Sequence, residues 1–274
     1  MLFNRYIYIF FSLFFIPLVS YTETVLTSTK GDRQISSTGD HSMISIRKAN
    51  ERGLGKRSWL TSHHTFSFAN YYDPKHMGYK NLRVINEDII QGGHGFDSHS
   101  HENMEIISYV IEGALQHKDS TGNETIIRPN EIQRMSAGSG VTHSEYNLAA
   151  DKETHFYQIW ITPKKRGTQP SYAQKSFAKE LNKNKLTLVV SNTGREGSIS
   201  IDQDVDIYVS RLKKGDLLEF KSRQNRHLWV QMVKGKMSVN GLEISAGDGL
   251  STEGHHPLNF NSHEHSEFIL FDLN

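Results

Sequence analysis

Two short stretches carry residue types that can do chemistry, His99-Ser100-His101 and His143-Ser144-Glu145. In each, the outer residues are spaced i, i+2. Side chains alternate along a β-strand, so residues two apart share a face. Each stretch can therefore aim two donors into one cavity. Three imidazoles and one carboxylate are borderline or hard donors, which suit a first-row divalent metal such as iron, nickel, manganese or copper. Four protein donors on an octahedral ion leave an open edge for a substrate or O2. The chemistry this predicts is that of a metal-dependent oxygenase built on β-strands. Spacing alone does not choose the carboxylate, because Glu105 follows His101 closely and competes with Glu145.

The chain that must position these residues has 274 residues, enough for one large domain or two ordinary ones. Hydrophobic residues make up 36% and charged residues 22%, an ordinary globular composition. The net charge of +1 gives no global pull toward nucleic acid. Fifteen histidines raise the expectation of a metal site, and the absence of cysteine excludes disulfides, thiolate zinc sites and a thiol nucleophile.

Residues 1–42 stand apart. Arg5, the apolar run from Ile7 to Val19 and the small Ser20 have the layout of an export signal, in a run too short to span a membrane comfortably. Tyr21 to Ser42 is polar and without periodicity, and is expected to be disordered. Either residues 1–20 export the protein, or the segment is a mis-called leader, translation starts at Met43 and the protein is cytoplasmic. The second reading is preferred.

From Met43 onward the pattern is of short strands between Gly, Pro, Asn and Asp turns, as in an antiparallel sandwich or barrel. Met43 to Arg47 reads as an opening strand. Trp59 to Tyr72 is aromatic-rich, with His63 and His64 read as structural or surface residues. Further strands are expected at Asn81 to Ile90, Glu105 to Ile111 and Phe156 to Ile161, with a hairpin turn at Asp119 to Asn123. The division expected is 43–165 as a first, metal-binding barrel, 166–185 as a linker with a short helix around Gln174 to Leu181, and 186–274 as a second barrel without metal. A weak internal repeat supports two copies. Val233-Lys234-Gly235-Lys236-Met237 parallels Ile111-Glu112-Gly113-Ala114-Leu115. In the second copy Gln224, Arg226 and His227 are expected where the first has its histidine pair, and His263-Glu264-His265 lies too late to replace it.

The residues now described resemble a known family. Gly93, His99, His101, Glu105 and Gly113 have the spacing of the first cupin motif. The wider pattern resembles pirin: His99 to Glu105, Tyr109 to Gly113, Met135 to Val141 and His143-Ser144-Glu145. Arg47 to Gly53, His64 to Phe68 and Tyr71 to Pro74 match the bacterial branch with quercetin 2,3-dioxygenase activity. The resemblance runs from Met43 to the C-terminus. It implies an all-β bicupin, two antiparallel jelly-roll barrels, with one divalent metal held by His99, His101, His143 and Glu145. Glu105 then has a hydrogen-bonding or structural role. Fe(II) is the first expectation for the metal, with Ni, Mn, Cu, Co and Zn as alternatives.

The resemblance further implies that O2 cleaves a flavonol such as quercetin with release of carbon monoxide, Glu145 acting as ligand and as general base for the 3-hydroxyl. Phe66, Phe68, Phe96 or Met104 are expected near the pocket. The partners implied are a small aromatic substrate and O2, with no nucleic acid and no membrane span, on a monomer. The competing reading is a non-catalytic iron-binding redox sensor that binds a protein partner. An open apolar mouth would favour the enzyme and a sealed metal the sensor. His94, His117, His155, His255 and His256 are read as loop or packing residues.

Overall fold

The computed structural model describes residues 44–181, 183–254 and 257–274. The readings of the leader, of a start at Met43, and of His255 and His256 lie outside the described residues. Among the described residues, no helix is long and apolar enough to cross a membrane.

The fold is an all-β bicupin in which each barrel pairs a seven-stranded sheet with a four-stranded one. In the first barrel the large sheet has the order Ser171–Ser176, Glu131–Ser136, Glu105–Glu112, Thr154–Ile161, Leu82–Ile90, Leu60–His64 and Gly53–Lys56. Its small sheet has the order Gly95–His101, Val141–Tyr146, Leu115–Asp119 and Glu124–Ile127. In the second barrel the large sheet runs Ile44–Arg47, Gly249–Thr252, His227–Lys234, Ser266–Leu273, Val205–Leu212, Thr187–Ser191 and Ile199–Ser200. Its small sheet runs Leu217–Phe220, Leu258–Ser262, Lys236–Val239 and Leu242–Ser245. Pairing is antiparallel apart from the short parallel contact of Val190 and Ser191 with Ile199 and Ser200.

Period-two alternation explains how the large sheets serve two cores at once. On Glu105–Glu112, Ile107, Tyr109 and Ile111 face the other barrel, while Ile106, Ser108 and Val110 face the interior of their own. On Thr154–Ile161, Tyr157, Ile159 and Ile161 take the first face, and Gln158 and Trp160 the second. One apolar cluster therefore joins both barrels, with Phe66, Leu82 and Ile85 on one side and Val189, Ile207, Trp229 and Ile269 on the other.

The internal repeat is physical. Gly113 and Gly235 end equivalent strands at φ +79° and +80°. A Cβ on either would run into a backbone carbonyl, that of Glu153 or of His265. Glycine is needed at both on two counts.

Three expectations are corrected. Ile44–Arg47 pairs with Gly249–Thr252 and edges the second barrel's sheet, not the first's. The basic stretch expected as linker contains Ser171–Ser176, which pairs with Glu131–Ser136 and is the edge of the first barrel, so the helix shrinks to Ala178–Leu181. Its polar composition is what a half-exposed edge strand tolerates. Finally, the strand of the second barrel that matches Gly95–His101 is Leu217–Phe220. Arg226 is instead a buried partner of Asp272, and His227 opens a central strand. Leu218 and Phe220 pack against the apolar cluster that includes Met237, Val239 and Phe260, so hydrocarbon fills the place that polar side chains take in the first barrel.

Candidate metal centre

His99 and His101 come from the strand Gly95–His101, and His143 and Glu145 from the neighbouring strand Val141–Tyr146. Across the pair, His143 lies opposite His99, but Glu145 lies opposite Phe96. The register shift between them is a bulge on the first strand. It lets Phe96, rather than Asp97, pack edge-on against the His99 ring, with centroids 6.4 Å apart. It also brings the Asp97 carbonyl to 2.7 Å from His99 Nδ1, which must donate, leaving the free lone pair of that ring on Nε2.

One nitrogen from each of His99, His101 and His143 lies within 4.8 Å of the others. The ring centroids stand 4.4 to 4.9 Å apart. Burial is graded, with His99 and His101 half-buried and His143 and Glu145 buried. His143 Nε2 is fully enclosed and has no hydrogen-bond partner. A buried, unpartnered nitrogen on a ring clustered with two other imidazoles is costly unless it finds a partner. A metal cation meets that need, and the donor set fits a first-row divalent ion.

Burial, followed by the neighbouring His143 and His99, pushes His101 down to about 4. Burial, then His99 and His117, pushes His143 down to about 3. Both rings are thus neutral at ordinary pH, the state a metal ligand requires.

The four expected ligands do not fall into a single group. Glu145 clusters with His143 and with His117. Its carboxylate accepts from Gln158 Nε2 at 2.7 Å and Ser108 Oγ at 3.4 Å. Glu105 lies in neither metal-competent group. It accepts from Ser136 Oγ at 2.7 Å and is raised by burial above the ordinary carboxylate range.

Other residues at the site escaped sequence reasoning. His117 is fully buried, 5.2 Å from His143 between ring centroids. Trp160 packs edge-on against His101 at 4.8 Å, and its Nε1 donates to Gln158. Asp88 lies buried on the inward face of its strand, and burial raises it to about 7. The signal for Gln158 was present, since it is polar at an inward position of a largely apolar strand, whereas Asp88 lies on a strand with several other polar residues. Of the residues expected near the pocket, Phe96 contacts His99, Phe68 packs on Trp160, and Met104 packs against the same apolar cluster as Trp160. Phe66 does not, because it packs against Trp229 of the second barrel at 4.9 Å. His94 stacks over Trp59 and His155 pairs with Glu87, both away from the three imidazoles.

The sequence profile of the family described as Pirin matches residues 46–161, and that described as Quercetinase C-terminal cupin domain matches 188–273. A quercetin 2,3-dioxygenase of Escherichia coli K12 is 45% identical over 231 residues, 84% of this chain and 99% of that protein. The chain belongs to the pirin family. A putative quercetin 2,3-dioxygenase of Pasteurella multocida is 41% identical over 84% of this chain and 100% of its own length. A crystal structure of a bacterial pirin from Escherichia coli in complex with nickel(II) is 44% identical, with a TM-score of 0.81 over 84% of this chain and 99% of that one. The His/Glu cluster thus lies in a pirin barrel whose solved relative binds a metal.

Proposed function

We propose that His99, His101, His143 and Glu145 hold one divalent transition metal, Fe(II) or a close substitute, and that the protein cleaves a flavonol such as quercetin with O2, releasing carbon monoxide. The observation that carries the metal is the buried, unpartnered Nε2 of His143, on a ring that clusters with His99 and His101. The relatives named quercetin 2,3-dioxygenase supply the reaction class.

When bound, the metal supplies a Lewis-acid charge that makes the flavonol 3-hydroxyl easier to ionise. The residues do the rest. Glu145 takes the hydroxyl proton on a carboxylate that Gln158 and Ser108 hold in place. Trp160 beside His101 and Phe96 beside His99 give a planar aromatic substrate two ring surfaces to lie against. Both atoms of O2 end on the carbons flanking C3, and C3 leaves as carbon monoxide. Half-buried His99 and His101 keep that side of the site open to a small molecule, which favours catalysis over a sealed sensor.

The test is to load the protein with metal, quantify the metal by mass spectrometry and follow quercetin loss and carbon monoxide release against His101→Ala. The native protein should turn over and the variant should lose both metal and activity. Fully loaded native protein without turnover would overturn the flavonol reading.

A further inference from the structure

We infer that His117 and Asp119 are positioning residues: they form a hydrogen-bonded relay that fixes His143 in its metal-binding tautomer, anchored by the hairpin at Asp119–Asn123. The inference rests on the proposed metal role of His143.

The relay can be followed atom by atom. Asp119 Oδ1 accepts from the Thr121 amide at 2.8 Å, Thr121 Oγ1 at 2.7 Å, the Asn123 amide at 3.1 Å and Asn123 Nδ2 at 3.2 Å. Its other oxygen, Oδ2, lies 3.0 Å from His117 Nε2 and 3.0 Å from Asn123 Nδ2. A carboxylate only accepts, so His117 Nε2 carries the hydrogen and Nδ1 carries the lone pair. That lone pair faces His143 Nδ1 at 3.4 Å, with Gln133 Nε2 as a second donor at 3.3 Å. His143 Nδ1 must then be the protonated nitrogen. The lone pair of His143 is left on Nε2, the atom that is buried and unpartnered, on a ring that clusters with His99 and His101.

The arrangement is a carboxylate–imidazole–imidazole chain ending at a ligand atom. Such partners orient the ligand ring and typically contribute 10–100-fold in metal affinity. The polar turn is thereby coupled to the metal centre through two rings, one of them wholly buried. His117 is held from its other side by Tyr172, with ring centroids 5.1 Å apart.

Asp119→Asn tests the direction of the relay. The amide oxygen stays on the Thr121 and Asn123 donors, so the amide nitrogen faces His117 and donates to it. His117 is then forced into the opposite tautomer, and so is His143. His117→Leu and His117→Asn separate this effect from packing. Both leave a similar cavity, but the asparagine oxygen can still accept from His143 Nδ1. Affinity for nickel(II), measured by competition with a chelator, and the absorption spectrum of the cobalt(II) form are the readouts. Asp119→Asn and His117→Leu should lose 10–100-fold in affinity and change the cobalt spectrum. His117→Asn should recover most of the affinity. Unchanged affinity in Asp119→Asn, or equal losses in the two His117 variants, would overturn the relay. Native protein that binds neither ion would instead overturn the metal reading itself.

Discussion

At the scale of single residues, the site combines groups whose titration moves the stability in opposite directions with pH. His101 and His143 titrate near 4 and 3 in the folded chain against about 6.5 unfolded. As pH falls below about 6.5 the unfolded chain takes up protons that the folded chain refuses, so the metal-free protein loses stability between roughly pH 6.5 and 4. Asp88 acts the other way. Burial holds its carboxyl at about 7 against 3.8, with Glu145 adding to the shift and Ser62 opposing it. The folded chain keeps that proton while the unfolded chain gives it up, so stability is lost as pH rises from about 4 to 7. Asp88→Asn should therefore stabilise by something on the order of 2 kcal/mol at pH 8 and by little at pH 4.5, read from denaturant melts. A gain larger at the acid end would contradict the assignment. Glu145→Gln removes the proposed base and should lower turnover at least about 100-fold. Steady-state rates on the metal-loaded variant check this.

At the scale of elements, the spacing of His99 with His101 and of His143 with Glu145 was legible because strand alternation is fixed by backbone geometry. The bulge that sets Phe96 beside His99 was not, since nothing in Gly95-Phe96-Asp97-Ser98 marks where one strand gains a residue on its partner. His117 was read as packing for a similar reason. Its partner His143 is distant in sequence, and pairing of Glu145 with His117 is fixed only when the two strands align. The edge strand Ser171–Ser176 looked like a linker because an edge can be polar on its open side. The turn glycines were legible through the repeat. Gly113→Ala, at φ +79° and with a Cβ 2.7 Å from the Glu153 carbonyl oxygen, should cost about 1–3 kcal/mol in a urea melt. A neutral result would show that this turn can relax.

At the scale of the whole molecule, the two barrels share one core and one buried polar junction. The Tyr109 hydroxyl donates to Glu267 and accepts from Arg211 Nη2 at 3.1 Å, and Arg211 Nε reaches Glu267 at 2.9 Å. Burial, reinforced by Glu267, raises the Tyr109 phenol well above its ordinary range, so it remains a donor. Tyr109→Phe removes the donor that Glu267 needs and should cost about 1–3 kcal/mol. Because the apolar cluster runs through both barrels, calorimetry should show one unfolding transition, and two separated transitions would contradict a shared core. Two copies of a barrel were readable from strand rhythm and the Gly113 and Gly235 repeat, and the bicupin from the resemblance to pirin. The crossing of Ile44–Arg47 to the second sheet was not, because a four-residue strand carries no label for its partner.

The proposed function joins these scales, with strands of the first barrel proposed to hold a metal on three histidines and a glutamate so that a flavonol can be opened by O2. The most direct measurement is carbon monoxide released against quercetin consumed by protein reconstituted with Fe(II) or Ni(II). Equimolar carbon monoxide is expected from the native protein and none above background from His143→Ala. Full metal occupancy with quercetin left intact, or quercetin lost without carbon monoxide, would contradict it.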